Sequence, residues 1–285
     1  MIEIIQPGPL ALLQDLGRPG YTDLGVGRCG AFDKTAHRLA NRLVGNSESA
    51  ATIEITLGQL KLRLLQASTI AVTGARTDII VEAGHQTRTH DSNTPLSLPA
   101  DCTLQLGTPS IGVRSYLAVR GGFDAPVVLG SRSRDTLAGI GPAPLACGDR
   151  LATGALTESM PASEPAPTVG DRSQRLRIIP GPRADWFADG ALRTLTDSSW
   201  TLAQSSDRVG VRLHGPQLAR RITGELPSEP TLPGAIQVPP DGQPIVLGPD
   251  APVTGGYPVI AVLASGQLSR LGQARPGDDV RFIVT

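Results

Sequence analysis

Lysine is almost missing from this chain: of its 26 basic residues only Lys34 and Lys61 are not arginine. Codon bias accounts for such a skew, and arginine forks would also suit a protein that grips carboxylates or phosphates. Net charge is missing too, since 26 acidic residues balance the 26 basic ones. Without a bulk field, nothing draws the chain toward nucleic acid or an anionic membrane. Cysteine is sparse and odd in number, at Cys29, Cys102 and Cys147, with no CxxC pair and no Cys/His cluster. That pattern points to neither a disulfide framework nor a zinc site. No apolar run approaches the ~18 residues of a membrane span. The start, MIEIIQPGPLALLQ, carries no basic leader region. The expectation is a cytoplasmic protein with a small-molecule substrate and no nucleic-acid or membrane partner.

Several catalytic signatures are absent as well. There is no GxxxxGK[ST], and no GxGxxG opening a βαβ unit, so a bound nucleotide would have to sit without a Walker-type loop. The four histidines, 37, 85, 90 and 214, form no HxH or HExxH, and no metal site is expected. Ser131 and Ser205 lie outside any GxSxG elbow, which leaves a serine-hydrolase triad unsupported.

What is abundant is punctuation. The 33 glycines and 25 prolines make about a fifth of the 285 residues, a share that suits many short strands joined by tight turns. Apolar β-rich runs recur between those breaks, among them IEII at the start, TIEIT, LKLRLL, STIAVTG, DIIVEAG, TLQLG and SYLAVRGG. Such spacing reads as an all-β barrel or sandwich. The clearest helix is predicted over residues 33–44. Asp33 suits the N-cap, Gly45-Asn46 the stop, and Ala36, Leu39, Ala40, Leu43 and Val44 follow helical spacing. His37, Arg38, Asn41 and Arg42 lie off that stripe, and most of them are expected on a solvated face.

Residues 155–174, ALTESMPASEPAPTVGDRSQ, lack periodicity and read as a linker. LRIIPGP then restarts the β pattern. IIQPGP near the start is echoed by IIPGP at 178–182, and GGF at 121–123 by GGY at 255–257, each followed by a Gly-Asp pair and a closing strand. Two related β-domains in tandem are therefore predicted, an N-terminal one over 1–154 and a C-terminal one over 175–285.

The richest stretch for chemistry is Gln237–Tyr257, QVPPDGQPIVLGPDAPVTGGY. Pro239, Pro240, Pro244 and Pro252 stiffen its two loops around a short strand, Ile245-Val246-Leu247. Gln237, Asp241, Gln243, Asp250, Thr254 and Tyr257 sit on that rigid backbone beside Gly255 and Gly256. Stiff loops holding several polar groups are how a small-molecule site is built, although a pair of ordinary barrel loops would also fit. A second candidate is Asp15–Asp33, where Arg18, Tyr21 and Arg28 stand among glycines leading into the predicted helix, a setting that suits an anion. Arg208, in SSDRVGVRL, either closes a turn with Asp207 or receives a carboxylate or phosphate. Arg114, Arg120, Arg132 and Arg134 flank GGF and GSRSRD, and one of them could hold an acidic substrate. Glu54, between two isoleucines, is either solvent-facing or functional.

These segments carry a resemblance. GAIQVPPDGQPIVL with TGGYPVIA, together with DLGRPGY, GAFDKTAHRLANRLVGN and RSYLAVRGGF followed by LGSRSRDTLAGIG, resembles the KipA family. That family is also called allophanate hydrolase subunit 2 or the carboxyltransferase subunit family. The resemblance covers nearly the whole chain. It implies cyclophilin-like β-barrels and a subunit of an ATP-dependent 5-oxoprolinase, working with a KipI-like subunit and a LamB/YcsF-like subunit. ATP with Mg²⁺ would be shared with the partner. Asp241 or Asp250 would be the base or the Mg²⁺ contact, with Gln237, Gln243 and Tyr257 orienting a lactam or amide. Arginine would hold phosphate and carboxylate, with Arg18, Arg28, Arg120 and Arg208 as candidates beside Tyr21, Thr254, Gly255 and Gly256. Two other roles use the same scaffold: carboxyl transfer from carboxybiotin to a urea-like amide, or non-enzymatic regulation of a KipI-like partner. The chain has no Ala-Met-Lys-Met sequence, so it does not itself carry biotin. It departs from the family pattern at Ala251-Pro252-Val253, where Arg-Gln usually follows the aspartate, and in LPSEPTLP before the Gly-Ala-Ile-Gln core. That departure bears on the substrate more than on the fold.

Overall fold

A computed structural model describes residues 1–155, 157–166 and 175–285. The chain is mainly β and divides into two compact units. The first comprises Met1–Arg18, Asp33–Arg134 and Gly139–Gly170, and the second Pro19–Phe32, Asp135–Ala138 and Asp171–Thr285. Two short segments from the N-terminal half thus belong to the second unit. Phe32 explains one of them, because it is buried in the second unit's core and packs against Gly272.

The first unit holds β1 (Ile2–Gln6), β2 (Leu10–Gln14), helix α1 (Lys34–Leu43), β3 (Thr52–Thr56), β4 (Lys61–Leu64), β5 (Ser68–Arg76), β6 (Ile79–Ala83) and β7 (Gln86–His90). It continues with β8 (Pro95–Leu98), β9 (Cys102–Leu106), β10 (Ile111–Val119), β11 (Phe123–Asp124) and β12 (Arg150–Thr153). One sheet runs β11-β12-β1-β4-β9-β6-β7 and the other β2-β3-β10-β5-β8. Alternate residues of both sheets meet in one core: Ile2, Ile4, Leu62, Leu64 and Leu104 from the first, and Leu13, Ile53, Ile55, Val72, Leu117 and Val119 from the second.

Helix α1 lies on β3, β5 and β10. Asp33 caps it by accepting from the Thr35 and Ala36 amides. The sheet face beneath it is polar, because strand alternation puts Thr52, Glu54, Tyr116 and Thr73 opposite the isoleucine face. Glu54 and Thr73 flank Tyr116 directly in the ladder. The helix answers in kind. His37 and Asn41 are fully buried, whereas Leu39 is only half-buried. For those two residues the solvated face expected from the sequence is corrected: a polar floor rotates the buried stripe toward 36, 37, 40 and 41.

The second unit is a closed barrel, β13-β20-β17-β18-β15-β14-β21. Its elements in chain order are β13 (Arg175–Pro180), α2 (Ala191–Asp197), β14 (Trp200–Leu202), β15 (Gly210–His214), β16 (Glu229–Pro230), β17 (Ala235–Gln237), β18 (Ile245–Leu247), β19 (Thr254–Gly255), β20 (Val259–Leu263), α3 (Gln267–Leu271) and β21 (Asp279–Val284). Trp200, Leu213, Ile236, Val246, Ile260 and Phe282 fill the barrel. Of the segment expected to be a linker, residues 157–166 carry no helix or strand and are tied to the first unit. The Glu158 and Ala162 amides donate to the Gly45 and Leu43 carbonyls. Residue 156 and residues 167–174 lie outside the described residues.

Candidate functional site

Strand β18 separates the polar groups of Gln237–Tyr257 into two sets. At its N-terminal end, Gln237 pairs with Ile245 across the ladder. The loop between these strands carries Asp241, which is exposed and accepts from the Gln243 amide at 3.0 Å. The Gln243 side chain is taken up by the Gly215 backbone, accepting from its amide at 2.9 Å and donating to its carbonyl at 3.2 Å. Gln237 is 6% exposed, and its Nε2 donates to the Tyr257 carbonyl at 3.3 Å. A Cβ on Gly255 would stand 2.7 Å from that Nε2, so a side chain there would displace the glutamine. Glycine permits the close approach.

Thr254 and Gly255 form β19, paired with Glu229-Pro230 of β16. Arg183 grips Glu229 through both Nε and Nη2, which raises the arginine and lowers the glutamate pKa, mainly through that hydrogen bond. Thr254 and Gly256 are exposed, and Tyr257 presents 44% of its surface.

One further arginine belongs to this end. Arg220 Nη2 donates to the Val238 carbonyl, and Arg220 lines a depression of about 320 Å³ with Gln217, Leu218, Ala219, Thr223 and Pro240. Burial pulls the Arg220 pKa down, opposed by the charges of Tyr257 and Asp241. Sequence reasoning passed over Arg220, since ARRI sits in an irregular stretch with no motif around it. A signal was present in the clustering of arginines between β15 and β17.

The C-terminal end of β18 is of another kind. Asp250 is 1% exposed, and Arg208 holds it with a two-point fork, Nε to Oδ2 at 2.9 Å and Nη2 to Oδ1 at 2.8 Å. The Thr136 amide and hydroxyl donate to the same Oδ2 at 2.9 and 2.7 Å. Arg208 also donates to the Gly30 carbonyl at 2.6 Å. These four donors saturate the carboxylate, so Asp250 and Arg208 join four points of the chain, at residues 30, 136, 208 and 250. Asp207 does not form the turn pair with Arg208. Its Oδ1 accepts instead from the Val209 and Gly210 amides at 2.8 and 3.0 Å.

The remaining sequence candidates fall on both units. Arg18 is 1% exposed and its Nη2 donates to the Ser133 carbonyl at 2.5 Å. Arg120 donates to the carbonyls of Val44 and Ser159 at 2.8 and 2.9 Å, closing the C-terminal end of α1. Arg132 is drawn to Asp124, and Arg134 to the carbonyls of Gly139 and Gly141. Tyr21 and Arg28, in the second unit, are half-buried and exposed respectively. Glu54 is neither solvent-facing nor isolated. It accepts from the Tyr116 hydroxyl at 2.7 Å and lies 3.8 Å from Arg114 Nε. That hydroxyl in turn accepts from the Asp33 amide at 2.7 Å, and burial pushes the Tyr116 pKa well up. His37 bonds Thr52 at 2.9 Å and the Glu48 carbonyl at 3.1 Å, with its pKa pushed by burial down to about 4.

The described residues contain no cluster of three His, Cys, Asp or Glu side chains placed to hold a metal ion. No helix among them is long and apolar enough to cross a membrane.

Residues 24–284 match the family described as the carboxyltransferase domain, subdomain A and B. The chain is 40% identical to an Escherichia coli protein whose name makes it one of the subunits of 5-oxoprolinase, over 99% of this chain and 91% of that one. The Haemophilus influenzae protein of the same name is 34% identical over 99% and 90%. The crystal structure of the K. lactis urea amidolyase superposes with a TM-score of 0.92 at 29% identity, over 99% of this chain and 18% of that much longer one. The chain spans about half the length, or less, of the solved relatives it matches.

Proposed function

This chain belongs to the carboxyltransferase family of subdomains A and B, and we propose that it acts as one subunit of an ATP-dependent 5-oxoprolinase that opens 5-oxoproline to glutamate. The observation that carries this reading is the pair of bacterial relatives named for that enzyme, whose identity runs through 99% of the chain and about nine-tenths of theirs. In the proposal the enzyme is completed by a KipI-like subunit and a LamB/YcsF-like subunit, and this chain is inactive without its partner.

ATP would supply the phosphoryl group that activates the lactam carbonyl. The described residues build neither a metal cage nor a phosphate loop. In the proposal Mg²⁺ and nucleotide are shared with the partner. This chain's own contribution is binding and orientation at the N-terminal end of β18. Gln237, held against Gly255, and Tyr257 would position the amide. Asp241 is the carboxylate with capacity to spare: among the described residues only one of its oxygens has a partner, the Gln243 amide, and the residue is exposed. It is the assigned proton acceptor. Asp250, Arg208 and Arg120 are assigned to holding the fold.

The test is 5-oxoproline-dependent ATP hydrolysis by the chain purified with its partner, with each protein alone as control. Turnover confined to the mixture supports the reading, and a well-formed complex without substrate-stimulated hydrolysis overturns it. A second reading, transfer of a carboxyl group from carboxybiotin to a urea-like amide, draws support from the superposition on urea amidolyase. Under that reading activity requires a biotinylated carrier and is blocked by avidin.

A further inference from the structure

We propose that the depression lined by Gln217, Leu218, Ala219, Arg220, Thr223 and Pro240 is a subsite for the carboxylate of a small monoanionic substrate, with Arg220 as its counter-charge. The inference rests on the reading above and supplies the group that holds the acidic end of the lactam. Three observations carry it.

The first is an incomplete hydrogen-bond inventory. A guanidinium has five N–H donors, and Arg220 gives one to the Val238 carbonyl. Its Nε is shielded from solvent and has no partner among the described residues. A buried donor left unmade is costly, more so on a charged group, and such a group in a folded protein calls for an explanation. That Nε lies out of a ligand's reach, and the donors a carboxylate would meet from the depression are the Nη hydrogens that Val238 leaves over.

The second is local charge. The neighbouring arginines already have partners: Arg183 is paired with Glu229, and Arg221 donates to the Asp185 carbonyl at 2.7 Å. Among the described residues Arg220 has no ion-pair partner of its own and feels only the nearby charges of Asp241 and Tyr257, a balance that suits a single carboxylate rather than a phosphate dianion.

The third is rigidity and place. Pro239 and Pro240 follow the carbonyl that anchors Arg220. The Leu218 amide donates to the Gly242 carbonyl at 3.0 Å, and a side chain at Gly242 (φ +75°) would overlap Gln217. The Val238 amide donates to the Pro258 carbonyl at 3.1 Å, which ties the subsite to the Gln237–Tyr257 group. Ala219 and Pro240, both exposed, offer an apolar wall to ring methylenes. The volume, about 320 Å³, is at the small end of ligand pockets.

The experiment is a titration of the full chain followed by side-chain NMR of arginine Nε–H groups. The probes are 5-oxoproline, its primary amide, and N-acetylglycine, a carboxylate with no lactam. Both carboxylates are expected to shift the Arg220 Nε–H saturably, with the amide about 10–100-fold weaker, the range for hydrogen bonds to a charged group. Arg220→Gln is expected to abolish that preference and to raise KM for 5-oxoproline in the complex by a similar factor. Arg220→Lys should restore only part of it. An Arg220 resonance unmoved by saturating carboxylate, or an unchanged KM in Arg220→Gln, overturns the subsite while leaving the oxoprolinase reading intact. Conversely, carboxylate binding at Arg220 in a complex that does not hydrolyse 5-oxoproline keeps the subsite and removes that reading. Should Arg220→Gln fail to fold, the wild-type resonance decides.

Discussion

Arg208 and Arg220 are the same residue type in the same barrel, yet their surroundings differ in kind. Arg208 is 3% exposed, forks onto Asp250, and donates to the Gly30 carbonyl. Its acid is saturated by donors from Thr136 as well. Arg220 has one carbonyl, a shielded Nε without a partner among the described residues, and an open depression beside it. A charge whose partners are all internal belongs to the architecture, since removing any of them strands the rest in low dielectric. A charge left short of partners at a depression has capacity for a ligand. Burial alone would have ranked Arg208 and Asp250 as the reactive pair, and completeness of bonding reverses the ranking.

The largest expected effect tests the saturated end. Asp250→Asn removes the counter-charge of a buried arginine and should lower unfolding stability by about 3–5 kcal/mol, read by denaturant titration. If the variant unfolds like the wild type and loses only turnover, the contrast breaks and Asp250 is the reactive acid.

The polar layer beneath α1 offers a second buried, hydrogen-bonded region, and it titrates. The folded pKa of His37, about 4, lies below its unfolded value of about 6.5. Between these values the unfolded chain binds the extra proton. His37's contribution is therefore complete above about pH 6.5 and is lost as pH falls toward 4, by about 3–4 kcal/mol. His37→Gln should flatten that part of the stability–pH curve, and a slope that persists unchanged would assign it to other groups.

Tyr116→Phe takes away the hydroxyl that bridges Glu54 and the Asp33 amide, for a cost of about 1–3 kcal/mol. Thermal or denaturant unfolding of the variant reads that loss directly. Asp241→Asn is expected to have the smallest effect on stability, within about 0.5 kcal/mol, because the site is exposed and the turn to Gln243 survives the change. Its turnover, measured in the complex, should nonetheless fall by about 10²-fold or more, on the order of a lost general base. Intact turnover in Asp241→Asn removes the assigned role.

Much of the fold was legible because short-range physics wrote it. Alternating apolar runs bounded by Gly and Pro became β3, β4, β5, β6 and β9 close to where they were expected, and Ile245-Val246-Leu247 is β18 residue for residue. Asp33 and Gly45 delimit α1 as capping chemistry requires. Other features were misleading for a physical reason. GGF and GGY look alike in sequence, yet Phe123 pairs with the closing strand of its own unit while Gly255 pairs with Glu229. A local motif does not state its partner strand. His37 and Asn41 resemble surface residues until the face opposite them is known to be polar.

The sequence by itself determined the β-rich class, the helix with its caps, the rigid polar loops around β18, and the family. All of these follow from residues close together in the chain. Only the tertiary structure decided that Asp250 is bonded on every side while Asp241 is not, that Glu54 has Tyr116, and that Arg220 stands short of partners beside a depression. Those facts depend on groups far apart in the chain: Arg208 with Asp250 is a separation of 42 residues, Thr136 with Asp250 one of 114. Whether a polar group is satisfied is a property of its neighbours in space, and no local pattern encodes it.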